Sequence, residues 1–128
     1  MINVPADLRY TKEHEWIKVE QGNIATVGIT DHAQGELGDI VYVEIETVGE
    51  VLNKNAVFGT VEAVKTVADL YLPIAGKIME VNPALNAEPA LVNNAPYESG
   101  WLVRIELDNI GDLDGLLTAD EYSQFLNA

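Results

Sequence analysis

A chain of 128 residues with 21 acidic and 7 basic side chains carries a formal net charge of −14. Such a surface repels phosphate backbones and anionic lipid, which argues against nucleic-acid and membrane partners. There is no Cys, so disulfides, thiolate catalysis and Cys-based metal sites are excluded. Hydrophobic residues make up 48% of the chain and the acids are scattered rather than blocked, so residues 1–128 read as a single folded domain.

The N-terminal stretch MINVPADLRY has no basic segment followed by an apolar core. No apolar run approaches the roughly 20 residues of a membrane span, and the expectation is a soluble, cytoplasmic protein. From Leu8 to Glu20 an aromatic cluster leads into a strand on Trp16, Ile17 and Val19. Gln21-Gly22-Asn23 reads as a hairpin turn into a second strand, Ile24 to Ile29. Thr30 and Asp31 are good helix N-caps, and Gly35 or Gly38 can end one or two helical turns. Asp39 to Thr47 alternates, with Ile40, Tyr42, Glu44 and Glu46 on one face and Val41, Val43 and Ile45 on the other. Val48-Gly49-Glu50 and Asn53-Lys54-Asn55 are turns around a short Val51-Leu52 piece.

The central stretch is Val57 to Gly76, VFGTVEAVKTVADLYLPIAG, with Lys65 between two apolar, β-branched runs. The simplest geometry is a hairpin with Lys65-Thr66 at its tip. That dipeptide lacks the Asn-Gly or Gly-x that tight two-residue turns favour. A turn that keeps Lys where Gly would be easier points to a use for the amine.

Lys77 to Val81 and Gly100 to Leu107 read as further strands, separated by a loop from Asn82 to Pro96 with three prolines. Asp112 to Leu117 can make one helical turn or two. Thr118-Ala119-Asp120-Glu121 is a capping box opening a final helix, with Tyr122, Phe125 and Leu126 inward. The chain is therefore a mostly β domain closed by helix. Gly38-Asp39-Ile40-Val41-Tyr42-Val43 and Gly76-Lys77-Ile78-Met79-Glu80-Val81 share one short pattern, as two similar half-sheets related across the Lys65 hairpin would.

Catalytic constellations are scarce. His14 and His32 are the only histidines, too few for a three-histidine zinc site, and no spacing supports a mixed site with carboxylates. Ser99 and Ser123 lie in no G-x-S-x-G elbow, and there is no phosphate-binding glycine loop. What remains is an amine that is mostly protonated at neutral pH and a poor nucleophile by itself. A modifying enzyme can remove the proton and acylate it, leaving a neutral amide on a flexible arm that carries a cofactor's chemistry. A solubilising lysine at a turn is the plain alternative.

Gly59-Thr60-Val61-Glu62-Ala63-Val64-Lys65, followed by Asp69-Leu70-Tyr71 and Pro73-Ile74-Ala75-Gly76, resembles the lipoylation segment of the glycine cleavage system H-protein family. His14-Glu15-Trp16, Gly28 to Gln34, Leu37-Gly38-Asp39, Asn93 to Tyr97 and Gly100-Trp101-Leu102 match that family in order, so the resemblance runs from about Leu8 to Phe125. It implies a barrel-sandwich hybrid of two small sheets, with a lipoyl-type core over about residues 24–107 and a C-terminal helical segment over about 112–128. It also implies lipoic acid in amide linkage to Lys65. The arm would visit three enzymes: a pyridoxal-phosphate glycine decarboxylase (P-protein), a tetrahydrofolate-dependent aminomethyltransferase (T-protein) and dihydrolipoyl dehydrogenase (L-protein). By the same resemblance Glu15 and Asp69 match acids of the cleft that protects the loaded arm. Glu36, which falls where some relatives have histidine, is placed in the same arm-docking cleft. Glu62 is a recognition residue for the lipoyl-attaching enzyme. Trp16, Trp101 and Tyr71 are read as packing aromatics, and His32 as a structural hydrogen-bonder.

Four rivals stay open. A biotin carrier would place Met on both sides of the lysine, where this chain has Val64 and Thr66. Lipoyl domains of 2-oxo acid dehydrogenases typically show Asp-Lys-Ala and are shorter. A relay protein that donates lipoyl to other enzymes would look almost the same, and an unmodified acidic scaffold is the blandest reading.

Overall fold

The computed structural model describes residues 3–127. Among the described residues, nine strands form two antiparallel sheets: β1 (Arg9–Tyr10), β2 (Glu15–Gln21), β3 (Ile24–Ile29), β4 (Ile40–Glu44), β5 (Val51–Leu52), β6 (Val57–Ala63), β7 (Val67–Tyr71), β8 (Gly76–Val81) and β9 (Val103–Leu107). The larger sheet runs β1-β2-β3-β9-β8-β5 and the smaller runs β4-β6-β7. Ala25, Val27 and Ile29 from β3, Ile78 and Ile105 from the large sheet, and Val61 and Leu70 from the small one share one buried core. Burying each such Val, Leu or Ile side chain is worth about 1.5–3 kcal/mol. The barrel-sandwich class expected from the sequence is the one observed.

Three α-helices among the described residues sit at the rims: α1 (Asp31–Leu37), α2 (Leu91–Asn94) and α3 (Ala119–Leu126). Thr30 caps α1 through its side chain and Gly38 ends it, with φ at 82°, a conformation glycine adopts without strain. The capping box of α3 forms as expected, with Thr118 and Glu121 each bonding the other's backbone.

The expected alternation of Asp39 to Thr47 fails at one point. Pairing shifts between Ile40 and Tyr42, so a bulge at Val41 puts Ile40 and Val43 in the core together and leaves Val41 and Tyr42 half exposed. The same shift occurs in β8 between Ile78 and Glu80 and leaves Met79 exposed. These are equivalent positions of the short sequence repeat, so the repeat encodes a common bulged strand, one in each sheet.

Two other differences are local. The Asn82–Pro96 segment is not plain loop: Asn82 accepts from the Ala84 N–H to open a 3-10 turn at Pro83–Asn86, and α2 follows. Four-residue pieces of this kind are too short to leave a hydrophobic period. Phe125 is not fully inward but sits at the rim, while Tyr122 is completely buried, because α3 presents one narrow stripe to the sheet.

Candidate functional site

The β6–β7 hairpin projects Lys65 into solvent. Its Ala63 N–H donates to the Thr66 carbonyl at 2.7 Å, and Glu62 pairs with Val67, so the two central residues are Val64 and Lys65 rather than Lys65 and Thr66. Left-handed φ occurs among the described non-glycine residues at His14 and Asn55 alone. The hairpin thus turns without the conformation that would demand glycine, which explains how Val-Lys is tolerated there.

The base of the tip is tied down. The Val64 N–H donates to the Asp39 carbonyl at 3.0 Å. The Asn93 side chain accepts from the Ile40 N–H and donates to the Gly38 carbonyl and to Gln34, locking the end of α1 to the start of β4. A Cβ at Gly38 would stand 3.4 Å from Lys65 Cε. The lysine stem therefore lies beside the end of α1. No ion pair or side-chain hydrogen bond holds its amine among the described residues.

The expected site acids separate into three environments. Glu62 lies on the outer face of the small sheet, exposed between its register partners Tyr42 and Val67. Asp69 is exposed on β7, opposite Thr60. Glu36 is solvent-facing on α1, with Oε1 3.5 Å from His32 Nε2, and His32 in turn packs on the His14 ring at 4.6 Å between centroids.

Glu15 is different, because only 2% of it is exposed. Its Oε1 accepts from the Thr11 hydroxyl at 2.8 Å, and its Oε2 accepts from the Tyr71 N–H at 3.2 Å. The second bond caps the free edge of β7, two residues from Asp69, and ties the large sheet to the small one. Burial pushes the Glu15 carboxyl up to about 8, against the opposing pull of those two hydrogen bonds.

Two of the aromatics expected to pack, Trp16 and Trp101, do so, while Tyr71 is half-buried on β7 and belongs to neither core cluster. Trp16 is buried with its N–H donating to the Pro96 carbonyl at 3.0 Å, and a Cβ at Gly28 would come within 2.7 Å of its ring. The Arg104 guanidinium stacks on Trp101 at 4.1 Å and pairs with Glu80. Residues that sequence reasoning passed over include Thr11, which binds Glu15, and Tyr122, which binds His14. Thr11 lies four residues before Glu15, and Tyr122 follows the capping box; neither position is a signal without the tertiary contact.

The fold and the site are those of a small, well-packed β domain that holds one exposed lysine out on a hairpin tip. A family model described as Glycine cleavage H-protein matches residues 8–128. The glycine cleavage system H protein of Bacteroides fragilis is 54% identical over 127 residues, covering 99% of this chain and all of that protein. The Alcanivorax borkumensis protein of the same name is 55% identical over 122 residues, covering 95% of this chain and 94% of that one. A crystal structure of a glycine cleavage system H protein from Mycobacterium marinum superposes with a TM-score of 0.87 at 39% identity, covering 98% of this chain and all of the other. This chain belongs to the glycine cleavage H-protein family.

Proposed function

We propose that this chain is the lipoyl-bearing shuttle of a glycine cleavage system, with lipoic acid attached to Lys65. The observation that carries the reading is the placement of Lys65 at the hairpin tip, exposed and braced against the end of α1. Its surroundings fit the group: an amine that a ligase can reach, and an apolar rim of Val41, Tyr42, Val64 and Val67, all substantially exposed, for an arm or a partner to lie against. When bound, the lipoyl group would supply a disulfide able to accept the aminomethyl group of glycine on one sulfur while the other becomes a thiol, and it would be a dithiol only once that group has been handed on.

The chain's own residues bind, orient and shield. The P-protein would load the arm, the T-protein would remove the methylene carbon, and the L-protein would restore the oxidised arm; this chain moves between them. Asp69, exposed on β7, would face the ammonium of the loaded arm, where a charge-assisted hydrogen bond is strong, and Glu15, which caps the same strand edge from β2, would line the cleft behind it. Glu36 stands at the α1 end of the same region. Glu62, fixed three residues before Lys65 on an open sheet face, serves recognition by the lipoyl-attaching enzyme.

The deciding experiment is the intact mass of protein from its native host, with peptide mapping of Lys65. A lipoyl-sized increment on Lys65, lost in Lys65→Arg, is expected. A biotin-sized increment, or none after incubation with lipoate ligase, ATP and lipoate, would overturn the reading. Reconstitution with the three enzymes should give glycine-dependent turnover; lipoyl donation to other enzymes without that turnover would instead identify a relay. In Glu15→Ala, lipoylation should proceed while the loaded arm decays faster. An unchanged decay rate removes Glu15 from the cleft.

A further inference from the structure

We infer that Tyr122 of α3, acting through the His14 ring, is a positioning residue for the Glu15 carboxyl. The inference rests on the proposed cleft role of Glu15 for its functional consequence, though not for its structural content.

The turn from Thr11 to Glu15 is unusual in one respect. His14 has φ at 71°, a left-handed conformation that a β-carbon disfavours and that persists only where neighbours hold it. Its backbone is held at both ends: the His14 N–H donates to the Thr11 carbonyl at 3.1 Å, and the Thr30 N–H donates to the His14 carbonyl at 2.9 Å. Its ring is held as well. Nδ1 lies 2.8 Å from Tyr122 Oη, which lies 2.8 Å from Thr30 Oγ1, and the ring packs against both His32 and Phe125. One phenol on α3 thus joins the turn before β2 to the N-cap of α1.

Glu15 comes next in the chain. Its N–H donates to Thr11 Oγ1 at 3.1 Å, and Thr11 returns the bond to its carboxyl. Rotating His14 into the ordinary negative-φ region would swing the following residue, and the Glu15 side chain could not keep both Thr11 and the β7 edge. The charged neighbours of His14 are His32, Glu13 and Glu36; burial, and then His32, pull its imidazole below the usual histidine range. Burial also pushes the Tyr122 phenol up to about 12, so it stays a neutral hydrogen-bonding group. The α3 helix contributes to a separate aromatic cluster with Leu8, Tyr10 and Trp16 rather than to the main core, and its hydrogen bond to His14 ties that cluster to the turn.

The test is the Glu15 titration midpoint in the intact, unmodified protein, read by carbon NMR of the side-chain carboxyl and assigned with Glu15→Gln. Tyr122→Phe keeps the ring packing and removes the hydroxyl. His14→Gly keeps the left-handed backbone accessible and removes the ring, and His14→Asn offers a side chain that still tolerates that backbone. Each should move the midpoint down by about half a pH unit or more, because the relief of burial, the largest cause of the raised value, outweighs the loss of the Thr11 and Tyr71 hydrogen bonds. Leu126→Ala, which only thins the packing of α3, should lower the melting temperature without moving the midpoint. A midpoint unchanged in Tyr122→Phe and in the His14 variants, with only the melting temperature reduced, overturns the inference. The lifetime of the loaded arm separates the two readings. If the midpoint shifts while the lifetime is unchanged in both Tyr122→Phe and Glu15→Ala, the cleft role of Glu15 fails and the positioning stands.

Discussion

The Lys65 hairpin and the Thr11–Glu15 turn are opposites. Val64 and Lys65 are exposed, their backbone needs no left-handed residue, and the lysine amine is unpaired among the described residues. The turn holds a buried carboxyl, a left-handed histidine and hydrogen bonds from α3, β7 and the Thr30 cap of α1. A carrier needs both. On the proposed function, an arm on Lys65 would have to be reachable by several enzymes, which an attachment point free of side-chain hydrogen bonds suits, and the surface it returned to would be preformed, with its polar groups fixed in advance.

The sharpest break of that contrast is Lys65→Arg. It should abolish lipoylation and all glycine-dependent turnover while leaving the thermal midpoint unchanged, since the side chain is solvated; a large loss of stability would show that the tip is structural. Trp16→Ala should do the reverse, leaving Lys65 accessible to the ligase while denaturant melts show a loss of roughly 3–5 kcal/mol. Retained stability there would mean that the packing behind the turn is slack.

Glu15 makes the contrast visible as a pH dependence. Its folded-state carboxyl is raised to about 8, above the unfolded chain's ordinary range. The folded state therefore binds the proton more tightly, and this contribution is complete below the unfolded value and is lost as pH rises toward 8. Denaturant midpoints measured from pH 5 to 8 should fall in the wild-type protein and fall less steeply in Glu15→Gln. Equal slopes would mean that the carboxyl is not buried in solution. The smallest expected effect is Glu62→Ala, with stability within about 0.5 kcal/mol of wild type but slower lipoylation in vitro. A normal rate would confine ligase recognition to other parts of the hairpin.

Much of this was legible in local pattern. The strand runs, the hairpin around Lys65, the Thr30 cap and the Thr118–Glu121 capping box depend on neighbours a few residues away, and the structure follows them. The bulges at Val41 and Met79 were not legible, although the repeat that carries them was, because a bulge is a property of the pairing between strands and not of one strand. The site acids show the same limit. Glu15, Glu36, Glu62 and Asp69 are alike as letters, and what separates them is burial.

By itself the sequence determined that this is a β domain presenting one lysine on a hairpin, because alternation, capping and turn chemistry act over short range. Only the tertiary structure decided which carboxyl is buried, which strand edge it caps and which helix holds the turn behind it. Those depend on contacts such as Glu15 with Tyr71 and His14 with Tyr122, and no local propensity encodes a meeting between residues so far apart in the chain.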